Sequence, residues 1–339
     1  LFWDAEVIAM KEQIEMRVSE AKQLQVVGSD GIDRRGFLEC MAWAGTGLLW
    51  SMVGGVPTSQ LLAATGGSGA KGVEDFSFVQ ISDSHIGFNK AANQDVTGTL
   101  KKTIDKINAV PAGMKAPEFM IHTGDITQSS KAGEFDTAEQ VIKGVKTGQV
   151  FYVPGEHDFS LDDGVLYKQR FGKGTLGSGW YSHDFKGVHF VGLNNVVQVD
   201  AMGNLGAEQL AWLKADLGGL SASTPVVVFA HIPLWMVYEK WGWGTQDGAT
   251  ALGYMKRFGS VTVLNGHIHQ IVQKVEGNVS FHTAMSTAFP QPAPGAAAGP
   301  GPMAVPAGKL ESVLGVTKVK VVRGKSHLAV VDSTLGEMA

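Results

Sequence analysis

The chain has 339 residues, 44% of them hydrophobic and 18% charged, with a formal net charge of −4. It carries no Lys/Arg-rich run, so no binding to a nucleic acid polymer is expected. Its only cysteine, Cys40, excludes an intramolecular disulfide and a thiolate metal cluster.

Residues 5–25 alternate charged side chains with apolar Val7, Ile14, Val18, Ala21 and Leu24 at helical spacing, the pattern of a solvated amphipathic segment. The first residue is Leu1 instead of Met, which points to a fragment or an over-extended start. Then come Asp33-Arg34-Arg35-Gly36-Phe37-Leu38-Glu39, an apolar stretch over 40–56, and small residues up to Ala70. Paired arginines, an apolar core and a small-residue tail describe a signal segment. Arg-Arg-x-Phe-Leu resembles the bacterial twin-arginine type, departing from it at Glu39, where Lys is more usual. The resemblance implies export of a folded protein, the twin-arginine machinery as partner, and a periplasmic or extracellular location. The apolar stretch is Gly-rich and too short for a good spanning helix. Cys40 lacks the preceding small residues of a lipoprotein site. No stable membrane anchor is therefore expected after cleavage, which is placed in 63–70. The competing reading is a core helix that happens to carry two arginines. Residues 1–70 are taken as this extension and 72–335 as one globular domain.

Within the domain, five short apolar runs have the length and residue content of buried strands. They are 76–82, 119–123, 150–154, 226–230 and 261–265, and each ends in a polar cluster. The clusters are Asp83-Ser84-His85, Gly124-Asp125, Gly155-Glu156-His157-Asp158, His231 and Gly266-His267-Ile268-His269. Helical periodicity over 94–110 and 134–145 falls between runs, which argues for βαβ units and a largely parallel sheet. Further helices are predicted at 206–217 and 249–258. Strands at 180–185, 188–194, 271–275, 279–284, 316–322 and 327–331 are expected as antiparallel edges or a second sheet. Residues 290–306 are Pro/Ala/Gly-rich and read as a mobile loop or extended linker.

Because ligands bind at the carboxyl ends of strands in open α/β sheets, the five clusters are expected to meet at one edge of one sheet. Asp83/His85 and His267/His269 are i,i+2 pairs, which extended backbone would aim to one side. Carboxylate mixed with imidazole suits two divalent or trivalent transition-metal ions, Mn, Fe or Zn. Asp83, His85, Asp125, Glu156, His231, His267 and His269 are more ligands than one ion takes, so two sites with Asp125 bridging are expected. Two ions so placed acidify the water between them and clamp an in-line displacement at phosphorus. His122, His183, His189, His282 and His327 lack partners at ligand spacing and read as ordinary hydrogen-bonded histidines. Trp235, Tyr238, Trp241 and Trp243 are expected chiefly to pack a long loop, the sharper alternative being a wall that stacks a flat leaving group.

The ordered set Asp-x-His, Gly-Asp, Gly-x-His-Asp, His, Gly-His-x-His resembles that of the calcineurin-like metallophosphoesterase superfamily, over residues 83–269. The resemblance implies an α/β fold, a two-sheet β-sandwich flanked by helices, and hydrolysis of a small-molecule phosphate ester by a metal-bridging hydroxide. It places metal one on Asp83, His85, Asp125 and His269, and metal two on Asp125, Glu156, His231 and His267. It gives His157 the role of donor or acid at the scissile phosphate, with Asp158 orienting its imidazole. Glu156 stands where the family usually has Asn, which admits a second reading, an exported metal-binding or sensor protein without turnover. Gln128 occupies the position of the purple acid phosphatases' Tyr ligand, and His85 is present where they lack a His. The pattern is thus closer to the cyclic-nucleotide phosphodiesterase branch.

Overall fold

The computed structural model describes residues 48–53, 56–61, 73–196, 202–322 and 328–337. The amphipathic segment at 5–25, the paired arginines and His327 lie outside them. Strands β1 (Leu48–Val53) and β2 (Val56–Leu61) pair antiparallel as a hairpin. Among the described residues no helix is long and apolar enough to cross a membrane.

From Phe76 onward two mixed sheets alternate with helices. β3 (Phe76–Ile81), α1 (Val96–Asn108), β4 (Phe119–His122), α2 (Ala132–Ile142) and β5 (Gln149–Tyr152) come first. A short helix α3 (Val165–Phe171), β6 (Tyr181–Phe185) and β7 (Val188–Gly192) follow. The chain continues through α4 (Gly206–Gly218), β8 (Val226–Phe229), α5 (Gly248–Met255) and β9 (Val261–Asn265). It closes with β10 (Gln273–Glu276), β11 (Val279–Thr283), β12 (Gly315–Val321) and β13 (Ala329–Thr334).

One sheet has the order β13-β12-β3-β4-β5 and the other β10-β11-β9-β8-β7-β6. Parallel pairs run through β3-β4-β5, with β5 at the sheet edge, and through β11-β9-β8-β7. β6, β10, β12 and β13 join antiparallel. The strands of the second half thus supply antiparallel edges and part of a second sheet, as expected; β7 and β11 pair antiparallel with β6 and β10 on one side and parallel with β8 and β9 on the other.

The period of two along each strand builds three apolar layers. Phe76, Phe78, Phe119, Ile121, Phe190, Val227, Phe229 and Leu264 fill the space between the sheets. Val79, Ile81 and Met120 face outward, under Leu100 and Ile104 of α1 and Phe135 and Ala138 of α2. On the other side Val228 and Val263 lie under Leu213 and Leu217 of α4 and Ala251 and Met255 of α5. The architecture is the expected two-sheet sandwich with helices outside.

Not every histidine is hydrogen-bonded as expected. His189 sits between Asp184 (2.8 Å) and Asp216 (2.9 Å), and His282 meets Asp332 at 2.9 Å. His183 instead stacks between Phe151 and Phe190, with centroids 4.1 and 5.2 Å away, and neither ring nitrogen has a partner. Burial pushes it down to about 4 from the usual 6.5, His189 adding to the effect. A native pKa below the unfolded one means that the unfolded chain takes up a proton the native state refuses. Stability contributed by neutral His183 is thus present above about pH 6.5 and lost as pH falls toward about 4. Replacing His183→Phe keeps the stack and should flatten the acid limb of a stability-versus-pH curve in that window; an unchanged limb would refute this account.

Candidate active site

The five clusters follow the carboxyl ends of strands from both sheets. Asp83, Asp125 and Glu156 follow β3, β4 and β5; His231 and His267 follow β8 and β9. The expectation of one edge of one sheet is corrected accordingly. Packing two sheets face to face brings two strand-end rims together, and the ligands divide between them.

The backbone reaches this geometry by leaving the extended region. Asp83 (φ 55°), His85 (φ 41°), Asp125 (φ 51°), His267 (φ 71°) and His269 (φ 54°) all adopt left-handed conformations. They are five of the eight non-glycine residues with positive φ among those described. Side chains at i and i+2 thus converge through tight left-handed turns, not through extended alternation as the spacing suggested. Such residues are strained, and strain of this kind gathers at functional sites. Gly124 shows how tightly the loops meet: a Cβ there would lie 2.6 Å from His231 Nδ1. At Gly155 a Cβ would collide with the Asp125 carboxylate.

Two sets of donors result. Asp83, His85 and His269 form one, and Glu156, His231 and His267 the other, with ligand atoms inside each set within 4.8 Å of one another. His85 and His269 aim their Nε2 atoms at each other, 3.1 Å apart. Glu156 spans the second set, Oε2 lying 2.9 Å from His231 Nε2 and Oε1 2.8 Å from His267 Nδ1. Asp125 Oδ2 stands between the sets, 3.5 Å from His85 Nε2 and 3.4 Å from His231 Nε2. Asp83 Oδ1 is 3.3 Å from His269 Nε2 and 3.9 Å from His231 Nε2. All seven predicted ligands therefore meet, and all but His267 are almost fully buried.

The donor set fits metal ions. His231 donates Nδ1–H to the Thr123 carbonyl at 2.7 Å, and His269 donates Nδ1–H to the Phe289 carbonyl at 2.6 Å. In the neutral ring each such bond leaves Nε2 as a bare lone pair facing the cluster, the arrangement that metal-ligating histidines use. His231 Nε2 and Glu156 Oε2 are buried without a well-directed hydrogen bond, although they lie close together. Every ion pair of Asp83, Asp125 and Glu156 among the described residues is with a histidine; no Lys or Arg neutralises them.

The electrostatics show the same demand for positive charge. Burial alone would raise the Asp83 carboxyl, but His269, His231 and His85 outweigh it and hold it low. Burial also opposes ionisation of Glu156, yet His267 and His231 pull it well below the usual range. Burial drives His85 down to about 3 despite Asp125. His231 moves the other way: Asp125 and Glu156 overcome burial and raise it well above its ordinary value. His122, three residues before Asp125, stays outside both sets; burial lowers it to about 4, and its Nε2 pairs with Ser84 Oγ at 2.8 Å.

His157 lies beside the first set, its ring edge-on to His85 at 4.9 Å. Its Nδ1 donates to the backbone carbonyl of Gln128 at 2.8 Å. Asp158 does not orient it, which corrects that expectation. The Asp158 carboxylate is fully buried and accepts from the backbone N–H groups of Ile126 (3.1 Å), Thr127 (2.8 Å) and Gly155 (3.0 Å), and from the Thr127 hydroxyl (2.9 Å). It ties the Asp125 loop to the Glu156 loop. No motif could have disclosed the Gln128, Thr123 and Phe289 carbonyls, since every residue carries one.

Beyond His231, Trp243 and Trp235 are buried, Trp235 against Phe281 at 4.7 Å, as loop packing requires. Tyr238 and Trp241 are half-buried and edge-on at 5.2 Å. Residues 290–306 are irregular apart from turns, and their start is tied to the site: Gln291 Nε2 donates to the His267 carbonyl at 3.3 Å, and Gln270 Nε2 to the Pro292 carbonyl at 3.1 Å.

The chain is thus a two-sheet α/β sandwich whose strand ends carry a cluster of His and acidic side chains that could hold metal ions. The chain belongs to the calcineurin-like phosphoesterase family, whose model matches residues 76–271. A "Probable glycerophosphodiester phosphodiesterase" of Arcobacter nitrofigilis is 23% identical over 228 residues, 61% of this chain and 77% of its own length. A "Probable cyclic nucleotide phosphodiesterase" of Rhodococcus erythropolis is 20% identical over 223 residues, covering 63% and 71%. Two solved structures share the fold. The purple acid phosphatase of yellow lupin has a TM-score of 0.55 at 12% identity, over 78% of this chain and 52% of that one. A dimetal phosphatase of Danio rerio has a TM-score of 0.51 at 13% identity, over 76% and 98%. The chain thus spans about half the length of the lupin enzyme.

Removing the Asp158 carboxylate strands three buried N–H groups at once. Asp158→Ala should lower unfolding stability by about 3 kcal/mol or more, read from urea denaturation. A change under about 1 kcal/mol would mean that the loops hold without it.

Proposed function

We propose that this protein hydrolyses a small-molecule phosphate ester at a dinuclear metal centre. The observation that carries the reading is the Asp125 carboxylate standing between two adjoining His/carboxylate sets, within reach of His85 on one side and His231 on the other. Asp83, His85, Asp125 and His269 would hold one ion; Asp125, Glu156, His231 and His267 would hold the other. Mn, Fe and Zn suit such mixed oxygen and imidazole donors. Bound there, two ions supply a nucleophile from water at neutral pH and positive charge against the phosphoryl oxygens.

The chain's own residues do the rest. The Thr123 and Phe289 carbonyls fix the tautomers of His231 and His269. His157, half-buried and held through Nδ1, presents Nε2 to the substrate as hydrogen-bond donor or as the acid for the departing oxygen. Its backbone N–H also donates to Asp125 Oδ1 at 2.9 Å, so acid and bridging ligand share one support.

Protein purified with its native metals should contain about two ions per chain and cleave phosphate esters. Asp125→Ala should lose metal and at least about a thousandfold in kcat/KM. Full activity in metal-free Asp125→Ala would end the reading.

For residues 1–70 we propose an export extension recognised by the twin-arginine machinery, which places the mature enzyme in the periplasm or outside the cell. The paired Arg34 and Arg35 before an apolar stretch support it. In a bacterial host that has this pathway, Arg34→Lys with Arg35→Lys should strand the protein in the cytoplasm. Unchanged fractionation would contradict it.

A further inference from the structure

We infer that Glu156 makes this centre selective for singly charged phosphodiesters over doubly charged phosphomonoesters. The inference rests on the two-metal reading above. Both oxygens of Glu156 are used: Oε1 faces His267 Nδ1 at 2.8 Å and Oε2 faces His231 Nε2 at 2.9 Å. An amide at 156 would offer one acceptor oxygen and would turn N–H groups toward one of those rings. His231 has already committed Nδ1–H to the Thr123 carbonyl. Its Nε2 and the Glu156 oxygen, 2.9 Å apart, would then share a cation, whether a proton or a metal ion.

The consequence is a change in net charge where screening is weakest. Glu156 is 6% exposed and Asp125 2% exposed, so water does little to screen them. Whatever charge the ions and their nucleophile contribute, Glu156 makes the centre one charge less positive than an amide at 156 would. Each positive charge removed weakens the hold on a phosphomonoester dianion about twice as much as the hold on a phosphodiester monoanion. The carboxylate therefore penalises the second negative charge of a monoester.

Glu156→Gln removes the charge with little change of shape, and Glu156→Asp keeps it. Metal content after dialysis in buffered metal is measured first. Calorimetric titrations with inorganic phosphate and with dimethyl phosphate follow, with Mn²⁺ in excess at about pH 8, above the second ionisation of a phosphate group. Glu156→Gln should tighten inorganic phosphate by at least about tenfold relative to dimethyl phosphate, and Glu156→Asp should leave the ratio near wild type. Equal shifts for both probes in a variant holding two ions would overturn the inference. If Glu156→Gln cannot hold two ions, the wild type decides. Higher kcat/KM on bis-p-nitrophenyl phosphate than on p-nitrophenyl phosphate upholds the inference, and the reverse order overturns it. Wild-type protein with no metal pair would instead remove the reading on which it rests.

Discussion

Three buried carboxylates and four imidazoles meet at the strand ends with, among the described residues, no Lys or Arg as ion partner. Water-excluded charges of one sign are costly unless something of the other sign joins them. Protons on the histidines can meet part of the demand, as the raised His231 shows. Two of the rings, His231 and His269, donate Nδ1–H to backbone carbonyls and so turn Nε2 into the cluster. A site so arranged could hold metal ions in place of protons.

The remainder of the fold serves that constraint. Two sheets packed through Phe78, Phe119, Phe190 and Phe229 fix the distance between two strand-end rims. Helices outside each sheet keep the strands in register. At the rims the backbone takes left-handed turns at five ligands, a strain that the hydrogen bonds beneath them oppose. Asp158 is the clearest of these supports, since one carboxylate gathers N–H groups from two ligand loops.

Much of this was legible in the chain. Apolar runs ending in Asp, His or Glu located the strands of both sheets that carry ligands, because buried parallel strands read as continuous hydrophobic segments. The seven candidate ligands that meet at these ends were singled out by their order. What escaped was whatever depends on backbone geometry or on partners without a residue signature. The i,i+2 pairs looked extended, and their φ values show that they are not. Asp158 looked like the partner of its neighbour His157, but its carboxylate turns toward backbone donors while a Gln128 carbonyl holds the ring. His183 looked like a hydrogen-bonded histidine in a strand, and aromatic neighbours from β5 and β7 made it a stacking ring. The seven-residue α3 was too short for periodicity to announce.

The central claim is that remote segments of the chain meet to grip a pair of cations, and anomalous diffraction from crystals grown with Mn²⁺ or Zn²⁺ tests it most directly. The account predicts two peaks roughly 3.5–4 Å apart, one among Asp83, His85 and His269 and the other among Glu156, His231 and His267, with Asp125 touching both. A single peak, or peaks away from these residues, would contradict it.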